Sequence, residues 1–441
     1  MAKIIVAGGG HGGIAVAGLL AEKGLDVTVY EQRRREDMGY DWTDIFEYSG
    51  LLAADMDMPP EDLFCYKGDV TFYGPSERNP FIQRSPKNQP EIKMERKDIY
   101  NYIIDYAEKR GAKFEYGVKI EKAECLGNRV VGIKTDKGSF YGDLIIDACG
   151  VNSPVRKSLP HFCGIQKELK QYEKLYVYRA FYNRINKDVP ATEFKLTLFP
   201  NGLHGLGWVM AGEQYADTLL GKFEPFEKDE IKKYTDYLRE KNPCVGKKKV
   251  RAGSFAEIPI RQTIAVMVAD GYAAIGDSAF MTIPIYGSGI ANALRASKIL
   301  AETVLKDEDC AYSCETLWDY EYNYYKKVGS SLAPLATMKN LLIDLTPEQI
   351  DNLFDYDLEQ VRGKIKRLNG LTDKRKVKAM IENVLILKNI VSDKALKQDI
   401  SVAVKKIAKL SVLMKQMPKV YSQNEVLIWA QKYNKLFKYE K

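Results

Sequence analysis

The 441-residue chain lacks several features that would place it in a large class of proteins. It has no run of about twenty apolar residues that could span a bilayer. Its first residues enter a β-branched run at once, so nothing at the N-terminus resembles a signal peptide. It also has no internal repeat and no low-complexity linker. We therefore expect a cytoplasmic protein of two or three domains with a large core.

Residue types that bind metals or form disulfides are few. The chain has 3 histidines and 7 cysteines, and no two cysteines have the CxxC spacing of a zinc or redox motif. We expect reduced thiols and no metal.

Acidic residues are scarce in only one part of the chain. Residues 361–441 contain 20 Lys and Arg against 6 Asp and Glu, whereas the remainder contains 46 against 53. A basic tail is either a solvated helix face or a surface that meets an anionic partner, and both interpretations stay open. The tail has no recognisable RNA-binding motif, so no nucleic-acid partner is expected.

A glycine cluster near the N-terminus carries the strongest functional signal. The β-branched run from Lys3 is followed by Gly8-Gly9-Gly10-His11-Gly12-Gly13, an apolar helical run and a second alternating run that ends on Glu31. In this strand-turn-helix-strand unit, Gly8 permits the tight turn, Gly10 lets the backbone approach a pyrophosphate, and Gly13 lets the helix lie on the sheet. The unit predicts a bound dinucleotide.

Residues around the turn complete the predicted nucleotide site. Helix amides near Gly12 would face the phosphates, and Glu31 would accept hydrogen bonds from a ribose diol, which argues against NADP. Gln32 opens a loop expected to follow the cofactor. His11 is unusual inside the turn; a side chain that points away from the phosphates is favoured over a phosphate ligand.

A second polar-ligand site is predicted further along the chain. A strand ending in Gly276-Asp277 is followed by a glycine loop and a helix start. Asp277 could bind a ribityl hydroxyl, and amides at the helix N-terminus could face a partly negative ring. The loop residues assigned to this site are Pro284, Gly287, Ser288, Gly289 and Ile290.

These motifs divide the chain into three parts. We predict an α/β protein, α+β overall, in which a discontinuous Rossmann-like domain comprises residues 1–64, 93–164 and 263–331. Strand-like segments rich in Tyr, Phe and Thr predict an antiparallel-sheet substrate domain from residues 65–92 and 165–262. Apolar stripes separated by lysines predict a C-terminal helical region over residues 332–441. The stripes are Val377, Met380, Ile381, Val384 and Val391, and then Ala403, Val404, Ile407, Leu410 and Met414.

With these motifs in place, the chain resembles the FAD-dependent oxidoreductases of the p-hydroxybenzoate hydroxylase fold group, most of all their geranylgeranyl reductase branch. The resemblance covers roughly residues 1–330. It lies in the glycine turn with Glu31, the segment Asp147-Ala-Cys149-Gly150-Val-Asn-Ser153-Pro-Val-Arg156, and Gly276-Asp277 with residues 284–289. It implies FAD as the cofactor, with Gly150 at the cofactor and Arg96 in contact with the flavin or its pyrophosphate.

The sequence departs from this family at two places. Cys149 stands where the family usually has an acidic residue. The reductases also share an aromatic-x-Trp-x-Phe-Pro pattern that lines the prenyl pocket, and here the segment Leu206-Gly-Trp208-Val-Met210-Ala211 keeps only the Trp. The predicted substrate-binding residues are Trp208, Met210 and Trp42.

Three functions compete for this sequence. The leading hypothesis is a reductase that saturates a carbon-carbon double bond in an apolar lipid substrate, with isoprenoids among the candidates and Tyr286, His204, Tyr40 or an ordered water as the proton donor. The chain has no second Gly-x-Gly-x-x-Gly domain, so NAD(P)H would bind transiently or an electron-carrier protein would supply electrons. The basic C-terminal region could touch the inner membrane surface. The alternatives are a flavin monooxygenase that hydroxylates an aromatic compound, and a flavin-containing protein that binds lipid or RNA.

Overall fold

The structure, a computed structural model, describes residues 2–39, 41–85, 90–191, 193–285, 287–355, 382, 391 and 393–437. Its strands are β1 Lys3–Ala7, β2 Asp26–Glu31, β3 Thr43–Glu47, β4 Phe64–Tyr66, β5 Val70–Tyr73, β6 Phe81–Gln83, β7 Glu91–Glu95, β8 Lys113–Tyr116, β9 Ile120–Leu126, β10 Arg129–Thr135, β11 Gly138–Tyr141, β12 Leu144–Asp147, β13 Lys174–Arg184, β14 Phe194–Leu198, β15 Gly205–Ala211, β16 Tyr215–Lys222, β17 Val245–Pro259, β18 Val268–Ala269 and β19 Tyr272–Ala274.

The helices alternate with strands in the first part of the chain and follow one another at its end. They are α1 His11–Ala21, α2 Ser49–Ala53, α3 Arg96–Lys109, α4 Pro154–Ser158, α5 Glu230–Lys241, α6 Ile290–Lys306, α7 Cys314–Tyr324, α8 Ser330–Asp344, α9 Pro347–Asp355, α10 Lys394–Lys415 and α11 Gln423–Leu436. A π-helical turn, Tyr325–Gly329, joins α7 to α8.

A six-stranded sheet forms the base of the cofactor domain. Its order is β18-β19-β12-β1-β2-β8, with parallel pairing throughout except between β18 and β19. The strands β1 and β12 are buried along almost their whole length, as strands covered on both faces must be. The predicted strand-turn-helix-strand unit is therefore confirmed, and the sheet is assembled from three separated parts of the chain.

Helix α1 packs closely on two other helices of this domain. A Cβ on Gly18 would lie 2.9 Å from the Tyr106 ring of α3, and a Cβ on Gly12 would lie 2.9 Å from the Ala293 carbonyl oxygen of α6. A three-stranded sheet, β11-β10-β9, adds to the same core, where the rings of Tyr30 and Phe140 lie 4.5 Å apart.

The middle of the chain forms a second, larger sheet. Its order is β17-β13-β16-β15-β14-β5-β6, antiparallel except for the β14–β5 pair. On one face, Tyr234 and Leu238 of α5 pack against Val209 and Leu220. Trp208 and Leu219 belong to a different apolar cluster, which also contains Trp42 of the cofactor domain. This second face therefore meets the cofactor domain, together with a small sheet of order β3-β7-β4.

Helices complete the described part of the chain. In α10, the predicted stripe faces inward: Ala403, Ile407 and Leu410 are buried, and Val404 and Met414 pack against apolar clusters. Of the other predicted stripe, Val391 is buried and the remaining residues lie outside the described residues. Within the described ranges, no helix is both long and apolar enough to cross a bilayer.

Candidate cofactor and substrate site

The glycine turn is held against the end of β12. Gly8 has a φ of +89°, and a Cβ on Gly10 would lie 2.7 Å from the carbonyl oxygen of Ala148. A Cβ on Gly13 would lie 2.5 Å from the Ala148 Cβ. The close approach at Gly10 is thus made to the protein's own backbone, a contact that sequence reasoning did not identify. The first amides of α1 remain available, because they have no carbonyl one turn earlier and Gly10 gives no side-chain cap.

Glu31 lies beside the turn, at the end of β2. Its Oε2 accepts a hydrogen bond of 2.8 Å from the Gly9 amide, and its Oε1 accepts one of 2.9 Å from the Arg33 amide. The carboxylate is buried and oriented by two backbone donors, and each oxygen keeps a lone pair for another donor. This geometry fits the predicted contact with ribose hydroxyls. The neighbouring Gln32 side chain is exposed.

His11, the first residue of α1, has a buried ring nitrogen. Its ring stacks on Tyr100 with a centroid distance of 4.3 Å, and Nε2 has no hydrogen-bond partner among the described residues. Burial, reinforced by the positive charge of Arg96, lowers the pKa of His11 to about 4. The ring is therefore neutral at pH 7, and its unpartnered Nε2 is a group that a polar cofactor atom could satisfy.

Arg96, the first residue of α3, forms an ion pair with Asp44 of β3. Its Nε and Nη2 donate to the two carboxylate oxygens at 2.5 and 2.6 Å. Burial opposes the charge on Asp44, but the guanidinium outweighs it and lowers the pKa of that carboxyl. Arg96 and Asp44 also perturb His11, so all three stand at one corner of the site. Asp44 was missed from the sequence because nothing in its neighbours marks it.

The second motif ties two loops together. The fully buried Asp147 accepts hydrogen bonds from the hydroxyls of Ser153 (2.6 Å), Tyr272 (2.9 Å) and Ser278 (2.9 Å). The buried Arg156 donates to the carbonyl oxygens of Val151 (2.6 Å) and Ser278 (2.8 Å). The motif thus joins the end of β12 to the loop after β19.

Gly150 and Cys149 occupy the turn after β12. Gly150 has a φ of +83°, and its amide donates to the Ser278 hydroxyl at 2.9 Å. The Cys149 thiol lies 3.1 Å from the Ala7 carbonyl oxygen. Burial, and then the carboxylates of Asp147 and Glu31, raise the pKa of Cys149, so the thiol stays protonated. A third carboxylate here would add negative charge to a site that already holds two.

The candidate cofactor site has three corners: the glycine turn before α1, the turn after β12, and the loop between β19 and α6. The third corner, this loop, contains Asp277. Asp277 accepts a 2.7 Å hydrogen bond from the Thr282 hydroxyl, and burial raises the pKa of its carboxyl. A Cβ on Gly289 would lie 3.2 Å from the same Asp277 oxygen, so the helix start closes on the carboxyl. Pro284 is buried in this loop, and Gly287 has a φ of +70°. The two remaining residues predicted here follow: Ser288 donates to the Ile45 carbonyl oxygen at 3.3 Å, and Ile290 begins α6.

An apolar cluster between the larger sheet and the cofactor domain contains two tryptophans. Trp42 is buried and donates from Nε1 to the Ser254 hydroxyl at 3.0 Å. Trp208 packs edge-on against Phe194, and its buried Nε1 has no partner among the described residues. Met210 is buried in the adjoining cluster with Phe194. The structure therefore brings the predicted Trp42, Trp208 and Met210 into one region.

A buried ion pair separates the two tryptophans. The guanidinium of Arg179 lies 5.6 Å from the Trp42 ring and 5.4 Å from the Trp208 ring. It donates to both carboxylate oxygens of Asp217, and it donates to the Thr43 carbonyl oxygen (2.5 Å) and hydroxyl (2.6 Å). The pair links the larger sheet to β3, and sequence reasoning missed it because its members are far apart in the chain.

His204 lies at the start of β15, towards the C-terminal helices. Its Nδ1 is 2.7 Å from Glu224 Oε1, and its Nε2 is 2.9 Å from the carbonyl oxygen of Ile343 in α8. Both ring nitrogens of His204 therefore already have partners within the protein. The two other predicted proton donors, Tyr40 and Tyr286, lie outside the described residues. Among the described residues, no group of three or more His, Cys, Asp and Glu side chains is arranged to hold a metal.

Comparisons with known proteins agree with this architecture. Residues 6–45 match the family model of the NAD(P)-binding Rossmann-like domain. The chain is 22% identical over 375 residues to the digeranylgeranylglycerophospholipid reductase of Haloferax volcanii, covering 80% of this chain and 88% of that protein. It is 27% identical over 381 residues to the enzyme of the same name from Thermoplasma volcanium, covering 81% and 92%.

Solved structures show the same fold. A geranylgeranyl bacteriochlorophyll reductase-like protein from Thermoplasma acidophilum has a TM-score of 0.73 and 21% identity, covering 88% of this chain and 99% of its own. PqsL of Pseudomonas aeruginosa, described as a probable FAD-dependent monooxygenase, has a TM-score of 0.60 and 19% identity, covering 80% and 99%. The predicted fold class and the resemblance to the geranylgeranyl reductase branch are confirmed.

Proposed function

We propose that this FAD-dependent oxidoreductase saturates a carbon-carbon double bond in an apolar, isoprenoid substrate. The observation that carries the proposal is that the apolar cluster of Trp42, Trp208 and Ile258 lies beside the candidate cofactor site. The Arg96 guanidinium is 5.3 Å from the Trp42 ring, and a Cβ on Gly287 would lie 3.4 Å from Ile258. The sequence relatives named as digeranylgeranylglycerophospholipid reductases support the same substrate class.

The residues at the three corners fit the cofactor. Glu31 would receive the adenosine ribose, the first amides of α1 would face the pyrophosphate, and Asp277 would meet the ribityl chain. The unpartnered Nε2 of His11 leaves one polar group for the cofactor to satisfy. When bound and reduced, FAD supplies a hydride for the double bond.

The task of the sheet is to hold an apolar chain and exclude water. Leu175, Val177 and Leu219 pack with the two tryptophans in one apolar cluster. The charge of Arg179 within this region is already neutralised by Asp217, and the guanidinium makes four hydrogen bonds to Asp217 and Thr43. Among the described residues, this surface therefore offers apolar contacts and the unpartnered Nε1 donor of Trp208.

The proton donor and the reductant are finer parts of the proposal. Tyr40 and Tyr286 remain our candidates for the donor, as does an ordered water. His204 could serve only by exchanging its contacts with Glu224 and Ile343. Because the sequence has one dinucleotide turn, we assign the reductant to transiently bound NAD(P)H or to an electron-carrier protein.

We also propose a cytoplasmic protein that meets a membrane surface peripherally. The outer face of α10 exposes Val402 and Val412 between lysines, among them Lys405 and Lys409. Apolar side chains flanked by lysines suit the interface of an anionic bilayer.

The proposal is tested by anaerobic reoxidation of the reduced, FAD-loaded protein. We expect prenyl lipids to restore the oxidised flavin spectrum and to yield a product heavier by two hydrogen atoms. A Trp208→Ala variant should raise the substrate KM about tenfold or more, because it removes a large apolar contact. Ile428→Ala, which truncates an exposed side chain on α11, is the control and should leave KM unchanged.

The competing activity gives a different result when the anaerobic assay is followed by one in air. No reoxidation by any olefin, together with NAD(P)H consumption coupled to oxygen uptake when an aromatic compound is added, would contradict the reductase and identify a monooxygenase.

A further inference from the structure

A buried guanidinium lies where the chain leaves the larger sheet and returns to the cofactor domain. The side chain of Arg261 is 1% exposed. Its Nε donates to the Gln262 carbonyl oxygen at 2.8 Å. Neither Nη1 nor Nη2 has a hydrogen-bond partner among the described residues, although Nη1 lies 3.2 Å from a carboxylate oxygen of Glu173. A buried guanidinium whose terminal donors are unsatisfied is costly, so it marks a place for an acceptor.

A second buried cation stands beside it. Lys339 of α8 is 4% exposed, and its Nζ donates to the Tyr172 carbonyl oxygen at 2.9 Å. Burial lowers the pKa of Lys339 to about 7; Glu173 opposes this shift and the positive charge of Arg261 adds to it. Arg261 and Lys339 therefore share the carboxylate of Glu173, and the carboxylate of Asp344 also acts on Lys339.

A second guanidinium, that of Arg156, also lies over the ring of Arg261's aromatic neighbour Phe280. The Phe280 ring has Arg261 at 5.1 Å and Arg156 at 4.5 Å from its centroid. Phe280 is fully buried and has a φ of +56°, a conformation that is unfavourable for a bulky side chain. The surroundings thus hold a strained aromatic residue between two cations.

The cluster lies at one end of the apolar sheet surface. Ile260, immediately before Arg261, belongs to the apolar cluster of Trp42 and Trp208. Leu175 of the same cluster follows Glu173 by two residues. An apolar chain on that surface would therefore have its end near Arg261, and an anionic group at that end would meet the two terminal nitrogens of Arg261 that have no hydrogen-bond partner among the described residues.

We propose that Arg261 and Lys339 form a buried site for one oxyanion, of the phosphate or carboxylate class, carried by the apolar substrate. The planar fork of Arg261 suits two oxygens of such a group, and the Lys339 ammonium supplies a further donor. Glu173 holds Arg261 in place. The assignment of the anion to the substrate rests on the proposed function. The assignment of an oxyanion to this site does not depend on it.

The first experiment uses the FAD-loaded full chain and inorganic phosphate as the probe. At constant ionic strength, phosphate in place of chloride should raise the melting temperature, and calorimetry should detect one site per chain. Arg261→Gln and Lys339→Met should each weaken phosphate binding about tenfold or more. Arg239→Gln and Lys222→Met, whose charges pair with Asp236 and Glu230 on α5, are the matched controls and should bind phosphate as the parent does.

The second experiment separates the two sources of the anion. A prenyl phosphate and the corresponding prenyl alcohol are compared as substrates, and the phosphate should have a KM at least tenfold lower. Arg261→Gln should abolish this preference, and Arg261→Lys should keep part of it because charge remains without the fork. Flavin content and circular dichroism establish that each variant is folded.

The outcomes are distinguishable. Phosphate binding that is identical in the parent and in both variants overturns the site, whatever the enzyme reduces. Phosphate binding that needs Arg261, combined with no discrimination between prenyl phosphate and alcohol, retains the oxyanion site and rejects the substrate as its source. Failure of every prenyl compound to reoxidise the flavin rejects the proposed function, and the phosphate titration then decides the site by itself.

Discussion

The cofactor side and the substrate side of the site are built in opposite ways. On the cofactor side, Gly10 and Gly13 are required because they have no side chain. A Cβ at either position would lie within 2.7 Å of an atom of Ala148. On the substrate side, Arg179 and Asp217 are required because they are paired with each other inside a low-dielectric region. The first kind of site tolerates no added atom, and the second tolerates no lost partner.

The largest effect should follow from adding atoms on the cofactor side. Gly13→Val would place a branched side chain where even a Cβ lies 2.5 Å from the Ala148 Cβ and 2.9 Å from Val6. We expect a loss of more than about 4 kcal/mol of folding free energy and a colourless product that does not take up FAD. Urea unfolding and flavin absorbance measure the two effects.

Ala21→Val, at the end of the same helix, is the control for that change. It alters helix propensity by less than about 1 kcal/mol and should leave the protein yellow. A Gly13→Val protein that binds FAD like the parent would show that α1 can move away from β12.

Removing a partner on the substrate side should have the next largest effect. Asp217→Asn leaves the Arg179 guanidinium buried without a counter-charge, and we expect a loss of about 3 kcal/mol of folding free energy. The double variant Arg179→Met with Asp217→Leu should recover most of that loss, because both charges are then absent. Urea unfolding of the three proteins measures this difference.

The ion pair on the surface of α5 gives the reference for that experiment. Asp236→Asn breaks contacts with Lys232 and Arg239, and since Asp236 is 46% exposed the cost should stay below about 1 kcal/mol. Equal losses from Asp217→Asn and Asp236→Asn would remove the contrast between the two sides of the site.

A smaller effect is expected in the pH dependence of folding stability, where His11 should differ from the exposed His161. The folded pKa of about 4 lies below the unfolded value of 6.5, so the unfolded chain binds the proton first and stability falls as pH decreases from 6.5 towards 4. Between pH 7 and pH 5, His11 should account for a loss of about 2 kcal/mol that His11→Asn does not show. The exposed His161→Asn is the control, and denaturant unfolding at the two pH values is the measurement. Parallel pH profiles for the parent and His11→Asn would contradict the assignment.

The same contrast explains which parts of the site could be predicted from the sequence. Gly8, Gly13 and Glu31 were identified because the requirement for each lies within a local strand-turn-helix-strand unit. Apolar positions that recur at helical spacing before Gly111 likewise predict a helix from Ile99 to Arg110; the helix in the structure, α3, begins three residues earlier at Arg96 and ends at Lys109. Asp277 followed from its place between a strand and a glycine loop.

The paired residues could not be predicted in this way. Asp217 faces Arg179 only because β13 and β16 pair with Arg179 opposite Leu219, and that register depends on the whole sheet. Asp44 and Arg96 are 52 residues apart, and the segments that hold Arg261 and Lys339 are brought together by tertiary packing. A single sequence states which residues are small or charged, but it does not state which charges meet.

The order of strands in the six-stranded sheet has a consequence for how the protein is made. β12 pairs with β1 on one side and with β19 on the other, and β19 begins at Tyr272, more than a hundred residues after β12 ends. During synthesis β12 therefore emerges with one row of backbone donors and acceptors unmatched, and strands β13 to β17 of the larger sheet are made before β19. Unpaired strand edges are prone to aggregation, so we expect the emerging polypeptide to be most prone to aggregate before β19 is made.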